Sequence, residues 1–149
     1  MLKLTKKADY GLMAMRHLAE QGHVRACSAK DVAEAYGIPH ELMAKILQRL
    51  VKAGLLRSQH GTNGGYILAR EASLITAFEV IRAIDGPLQI TSCVTVRGEC
   101  GQTDRCNIRE PLRRVNDSIE EVLRRITIGE MTGEASREGT RAEELVTIA

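Results

Sequence analysis

Two helical patterns separated by one tight break constrain this chain more than any other feature. Ser28 followed by Asp31 is a capping-box pair that opens a short helix from Ala29 to Tyr36, with Val32 and Ala33 facing inward. Gly37 breaks it, Pro39 suits the first turn of the next helix, and "PHELMAKILQRLVKAG" runs on until Gly54. On this second helix Leu42, Met43, Ile46, Leu47 and Leu50 form the apolar face. His40, Glu41, Lys45, Gln48, Arg49 and Lys52 lie mainly on the other side. Helix, glycine turn and helix make the pattern of a helix-turn-helix, whose second helix is the one that enters a major groove. "LLRSQ", "HGTNGG" and "YILAR" follow, two strand-like runs around a glycine-rich turn that demands unusual backbone angles, and we read them as a wing. Gly61, Gly64 and Gly65 do not make a nucleotide loop, since no Gly-Lys-Ser/Thr or G-x-G-x-x-G arrangement opens a helix here.

The flanking segments complete a mainly α fold. Leu4, Ala8, Leu12, Met15 and Leu18 recur at spacings of three and four, so residues 5 to 20 form an amphipathic helix with Lys6, Lys7 and Arg16 off the stripe. Residues 76 to 85 are helical in pattern and stop at Gly86-Pro87. Ile108, Leu112, Val115, Ile119, Val122 and Ile126 alternate four and three apart, a heptad seam that suits a twin helix and predicts a dimerisation helix roughly 30 Å long. The expected organisation is a winged helix-turn-helix over 1–86, a cysteine loop over 87–107, a dimerisation helix over 108–128 and a mobile tail over 129–149.

Charge is divided along the chain. Residues 1–70 hold 11 Lys and Arg against 5 Asp and Glu, a balance of +6, whereas residues 71–149 hold 10 against 14, a balance of −4. The basic half is the one expected to meet phosphates. No run of about 20 apolar residues exists to span a bilayer, and "MLKLTKKADY" lacks the apolar centre of a secretory signal, so the expected location is cytoplasmic. There the sequon at Asn116 carries no meaning.

Three of the four cysteines, Cys93, Cys100 and Cys106, fall in the polar stretch "TSCVTVRGECGQTDRCN". Structural cysteines belong among apolar neighbours, so this grouping points to a metal, a disulfide or redox chemistry, and a reducing compartment favours metal or redox. Cys27 stands apart and reads as packed or inert; His17 and His23 have no partner pattern. Nothing resembles a nucleophile elbow, a His-Glu-x-x-His run or a paired-carboxylate constellation, so an enzyme is not expected.

Taken together, "LTKKADYGLMAM", the wing "GTNGGYILA", "AIDGPLQITSC" and three cysteines before a long helix resemble the winged-helix iron–sulfur regulator family typified by IscR and NsrR. The resemblance covers residues 1 to about 130, and "ECGQTDRCNIREPLRRVNDSI" is most similar to the branch that regulates the SUF iron–sulfur assembly operon. It implies a bacterial transcription regulator that binds a palindromic operator in double-stranded DNA as a homodimer. It also implies a [2Fe–2S] or [4Fe–4S] cluster held by Cys93, Cys100 and Cys106. Where IscR-like members place a histidine three residues after the last cysteine, this chain has Arg109, which cannot ligate. The first interval also holds six residues rather than five. Asp9 matches the acidic ligand that NsrR-like members offer from the partner's first helix, with Glu99, Asp104 and Asn107 as local alternatives.

The expected DNA contacts are His40, Glu41, Lys45, Gln48 and Arg49 in the major groove, His60, Thr62 and Asn63 at the wing, and Thr5, Lys6 and Lys7 on phosphates. Two other readings compete with the cluster sensor. In one, the same DNA-binding module carries a thiol switch or zinc site; in the other, the chain is an iron–sulfur carrier or electron-transfer protein that leaves the helix-turn-helix idle.

Overall fold

A computed structural model describes residues 3–21, 25–62, 64–90 and 105–133. Six helices and one hairpin occur among them: α1 (Lys6–Gln21), α2 (Ala29–Tyr36), α3 (His40–Lys52), β1 (Leu56–Gln59), β2 (Gly65–Leu68), α4 (Ala77–Asp85), α5 (Arg109–Arg125) and α6 (Ile128–Met131), with a 3₁₀ turn at Ala72–Leu74. This is the mainly helical winged helix-turn-helix that the sequence predicts. No described helix is long and apolar enough to cross a membrane.

Local chemistry fixes the ends of these helices. Thr5 Oγ1 accepts the Ala8 N–H at 3.1 Å and so caps α1. The Ser28–Asp31 capping box is present in both directions, and Gly37 ends α2 in the left-handed region at φ 63°, its N–H donating to Ala33. A second box, Thr76 with Glu79, starts α4. Arg70 reaches the same Glu79 carboxylate at 2.8 Å, which joins the end of the hairpin to the start of the helix.

The core is aliphatic. Met15, Leu18, Val32, Met43, Ile46, Leu47, Leu50, Leu55, Leu56, Ile75 and Val80 are all buried in one cluster. On α1 the buried stripe is Ala8, Gly11, Ala14, Met15 and Leu18, while Leu12 is only half-buried. The shift from the expected stripe has a steric cause, because Gly11 is where α4 crosses. A Cβ there would stand 2.0 Å from Ile84 Cδ1.

The hairpin pairs antiparallel, from Leu56 opposite Leu68 to Gln59 opposite Gly65. Cys27 adds a further rung: its N–H donates to Tyr66 O at 3.1 Å and its carbonyl accepts the Tyr66 N–H at 2.8 Å. Gly65 permits that approach, since a Cβ at this residue would lie 2.5 Å from the Cys27 carbonyl carbon and oxygen. Cys27 is therefore packed, as the sequence led us to expect, and burial followed by the nearby Asp31 charge pushes its thiol up from the ordinary range.

Beyond α5 the chain returns to the main body. Ala77 N–H donates to Ile126 O and Ile128 N–H donates to Ile75 O, both at 2.8 Å, around a bridge between Thr76 and Thr127. This strap carries Ile128 to 0 % exposure in the core, and α6 follows it. Of the 129–149 segment read as a tail, residues 129–133 are described and continue from this strap; 134–149 lie outside the described residues.

The Glu79 carboxyl combines opposing influences. Partial burial raises its pKa, but the Thr76 backbone N–H and the Arg70 guanidinium outweigh burial and hold it below the usual carboxylate value. A depressed folded-state value stabilises the protein above the unfolded-state pKa of about 4.3, and that contribution is lost as pH falls through the folded value. Because the pair is more than a third exposed, its worth is only about 0.2–1 kcal/mol. Urea midpoints should thus place Glu79→Gln below wild type at pH 7, with the gap closing as pH falls through the lowered folded-state value. A gap independent of pH would remove the charge from this account.

Candidate nucleic-acid interface and cysteine segment

Helix α3 buries Met43, Ile46, Leu47 and Leu50, which leaves its polar residues on the outer face. Lys7 of α1 and Lys45, Gln48, Arg49 and Lys52 of α3 line one cleft of about 270 Å³ whose apolar floor includes Leu42, Ile46 and Ile84. Four cations thus converge with no carboxylate in the lining. Among the described residues none of these four pairs with an acid, although six other ion pairs form. An uncompensated positive groove along an exposed helix is the electrostatic footprint of a polyanion site.

The expected DNA contacts do not all fall together. Lys7, Lys45, Gln48 and Arg49 share the cleft, joined by Lys52, which the sequence placed on the polar face without assigning it a contact. His40 and Glu41 are exposed on the first turn of α3 and lie outside the cleft lining. His60 and Thr62 are exposed at the wing turn, and Lys6 is exposed on α1. Asn63 lies outside the described residues. Two of the set have work inside the fold. Arg49 donates from Nη1 to the Ile84 carbonyl at 2.8 Å, and Thr5, besides capping α1, donates to Asp85 Oδ1 at 2.6 Å. Both ties end on the last turn of α4, so α4 fixes where the cationic face stands.

Of the cysteines, Cys106 is free and half-buried, three residues before α5 begins and between exposed Arg105 and Arg109. Cys93 and Cys100 lie outside the described residues, as do Glu99 and Asp104. Asp9 is half-buried in the first turn of α1. No group of three or more His, Cys, Asp and Glu side chains gathers among the described residues.

The heptad seam divides into two columns. Ile108, Val115 and Val122, seven apart, are 57 %, 45 % and 56 % exposed, whereas Leu112, Ile119 and Ile126 are half-buried. Beside the outward column runs an apolar groove of about 420 Å³ lined by Arg114, Val115, Ser118, Ile119, Val122 and Leu123. On the inward side Arg124 lies over Phe78 of α4, 4.1 Å from the ring centroid. Sequence reasoning missed Asn116, which is 2 % exposed within α5. An Asn on a helix ordinarily reads as surface, and a single isolated position offers no periodicity to find it by. His17 is half-buried, with Nδ1 3.2 Å from the Tyr36 hydroxyl, a packed histidine.

Residues 4–134 match the family model Rrf2, described as an iron-dependent transcriptional regulator. The chain belongs to the Rrf2 family. It is 33 % identical over 130 residues to the Escherichia coli HTH-type transcriptional regulator IscR, which covers 87 % of this chain and 80 % of that one. Among solved structures it is similar to CymR, the global cysteine regulator of B. subtilis, with TM-score 0.72 and 32 % identity over 89 % of this chain and 98 % of that one. It is also similar to T. potens IscR, with TM-score 0.68 and 35 % identity over 87 % and 85 % respectively. As a member of this Rrf2 family the chain is a DNA-binding transcription regulator and not an enzyme.

Proposed function

We propose that this Rrf2 regulator acts as a homodimer on a palindromic operator and that its three-cysteine segment holds an iron–sulfur cluster, [2Fe–2S] or [4Fe–4S], reporting iron–sulfur supply, redox state or nitric oxide. The observation that carries this reading is the family match itself. A model described as iron-dependent runs unbroken from residue 4 to 134, through Cys93, Cys100, Cys106 and the whole of α5. The donor set fits such a group, since thiolates hold iron–sulfur clusters and Cys106 is a free, half-buried thiol at the foot of α5. Asp9 of the partner subunit serves as the fourth, more weakly held ligand. What a cluster supplies when bound is a cross-link among the cysteines that oxidants can remove.

The chain's own residues do the rest. Lys7, Lys45, Arg49 and Lys52 neutralise phosphates and release counterions; Gln48 with His40 and Glu41 reaches base edges. His60, Thr62 and Asn63 place the wing against the adjoining groove, with Thr5 and Lys6 at its flanking phosphates. The outward column Ile108, Val115 and Val122 packs on its copy, setting the separation of the two α3 helices.

A second reading is favoured by the likeness to a global cysteine regulator. In it the same dimer and DNA face are kept, and the cysteines act as a thiol switch or zinc site. The visible spectrum of protein purified without oxygen, with iron and sulfide assayed on the same sample, decides between them. Thiolate-to-iron bands with matching iron and sulfide are expected. A sample that stays colourless after anaerobic reconstitution would overturn the cluster and leave the thiol or zinc reading.

Two further outcomes test the dimer and its DNA face. Lys45→Ala should weaken operator binding and flatten the plot of log K against log salt by about 0.9 for each phosphate that is no longer neutralised. An unchanged slope and affinity would take Lys45 out of the interface. Val122→Asp sets like charges against each other across the twofold, so sedimentation should find monomer; a persistent dimer would place the interface elsewhere.

A further inference from the structure

Asn116 is the one buried polar or charged residue among the described residues, at 2 % exposure. A buried amide with unsatisfied atoms costs stability, so its partners explain its presence. Both ends of the side chain are used: Oδ1 accepts the Ile90 N–H at 3.2 Å and Nδ2 donates to Glu120 Oε1 at 3.4 Å. No buried side-chain atom among the described residues is left without a partner.

The location of these partners gives the amide a job. Ile90 lies three residues before Cys93, and Cys106 lies three residues before α5, the helix that carries Asn116. A single side chain therefore ties the chain entering the cysteine segment to the helix into which that segment leads, across 26 residues of sequence. The tie continues inward. Glu120 pairs with Arg124 at 3.7 Å, and Arg124 covers Phe78, a buried residue of α4. Helix α4 ends at Ile84 and Asp85, where Arg49 and Thr5 are held.

We propose that Asn116 is a positioning residue for the cysteine segment, an amide clasp that fixes the chain at Ile90 against α5 and so sets the place from which the thiols bind their ligand. The assignment rests on the proposed ligand-binding role of the cysteines. The clasp needs an acceptor toward Ile90 and a donor toward Glu120, which asparagine supplies without burying a charge. Leucine, similar in branched shape but larger and apolar, supplies neither. Aspartate keeps the acceptor but opposes Glu120 with like charge, and that opposition is relieved when Glu120 is replaced by glutamine.

The test is made first on the full-length protein without metal. Two rates are measured under native conditions: amide hydrogen exchange at Ile90 and alkylation of Cys106, with buried Cys27 as the internal control for global opening. In Asn116→Leu and Asn116→Asp both rates should rise about fivefold while Cys27 stays unreactive, the change expected for one lost hydrogen bond. The double variant Asn116→Asp with Glu120→Gln should return both toward wild type. Rates at Ile90 and Cys106 that match wild type in a folded Asn116→Asp protein would overturn the clasp, as would a rise shared equally by Cys27. If Asn116→Leu fails to fold, the aspartate variant and its rescue carry the test. Iron and sulfide retention is measured alongside. Wild type that binds neither, with rates that still respond to Asn116, would sink the cluster reading and leave the clasp standing.

Discussion

The approach of α1 to α4 at Gly11 is the contact on which the rest of the arrangement depends. Hydrogen at that position leaves room for the Ile84 Cδ1 methyl, and with Ile84 seated there the last turn of α4 lies beside both α1 and α3. The Ile84 carbonyl then receives Arg49, and the neighbouring Asp85 receives Thr5, the cap of α1. A side chain at 11 would force the Ile84 Cδ1 methyl out of its seat against α1, disturbing the apolar contact at this crossing. The cationic cleft is thus a product of core packing, since its floor at Ile84 and its Arg49 wall come from the same crossing.

That origin explains why the cleft can hold several cations without acids to balance them. Surface lysines repel weakly in water, and the cost is borne by the aliphatic core beneath, where Met43, Ile46, Leu47 and Leu50 of α3 are fully packed. Acidic side chains are instead placed elsewhere, at helix starts such as Asp31 and Glu79 and in i,i+4 pairs along α5. The division of charge between the two halves of the chain is therefore a division of labour in space. One half presents a cationic cleft unpaired among the described residues; the other is net acidic and pairs its α5 arginines with glutamates one turn away.

Much of this was legible in the sequence because it depended on local chemistry. The Ser28–Asp31 box, the Gly37 cap and the α3 face follow from short-range rules, and α2 falls where those rules put it. The glycine-rich turn announced the hairpin, although the need for Gly65 to pass close to Cys27 is a tertiary fact that no local rule contains. Period also had limits. It found the seam on α5, yet it could not tell that Leu112, Ile119 and Ile126 turn half inward while Ile108, Val115 and Val122 stay outside, because that depends on where α4 lies. The strap through Ile128 was hidden for a related reason. Ile128 continues no helical period with its neighbours in Ile-Thr-Ile-Gly-Glu-Met, and only its pairing with Ile75 reveals that it belongs to the core. Lys52 and Asn116 were missed in opposite ways: one looked like any solvated charge, the other like any surface amide.

The same helix therefore carries two attachments on different faces. Val115 points outward, and Asn116, one residue on and about 100° around the axis, points inward to the chain that leads to the cysteines. A rigid helix cannot yield at one of these faces without moving the other, and α5 is held at its far end by the hydrogen bonds between Ile126–Ile128 and Ile75–Ala77. Arg124 on Phe78 and the strap resist rotation of α5 about its own axis, so a displacement at Asn116, midway along the helix, would tilt α5 about its anchored end. In the proposed twofold dimer a tilt would change the angle at which the outward column meets the second copy, and the change would be applied twice. In the proposed dimer, small shifts near Ile90 would in this way alter the separation of two α3 helices, the quantity to which a two-site operator is most sensitive.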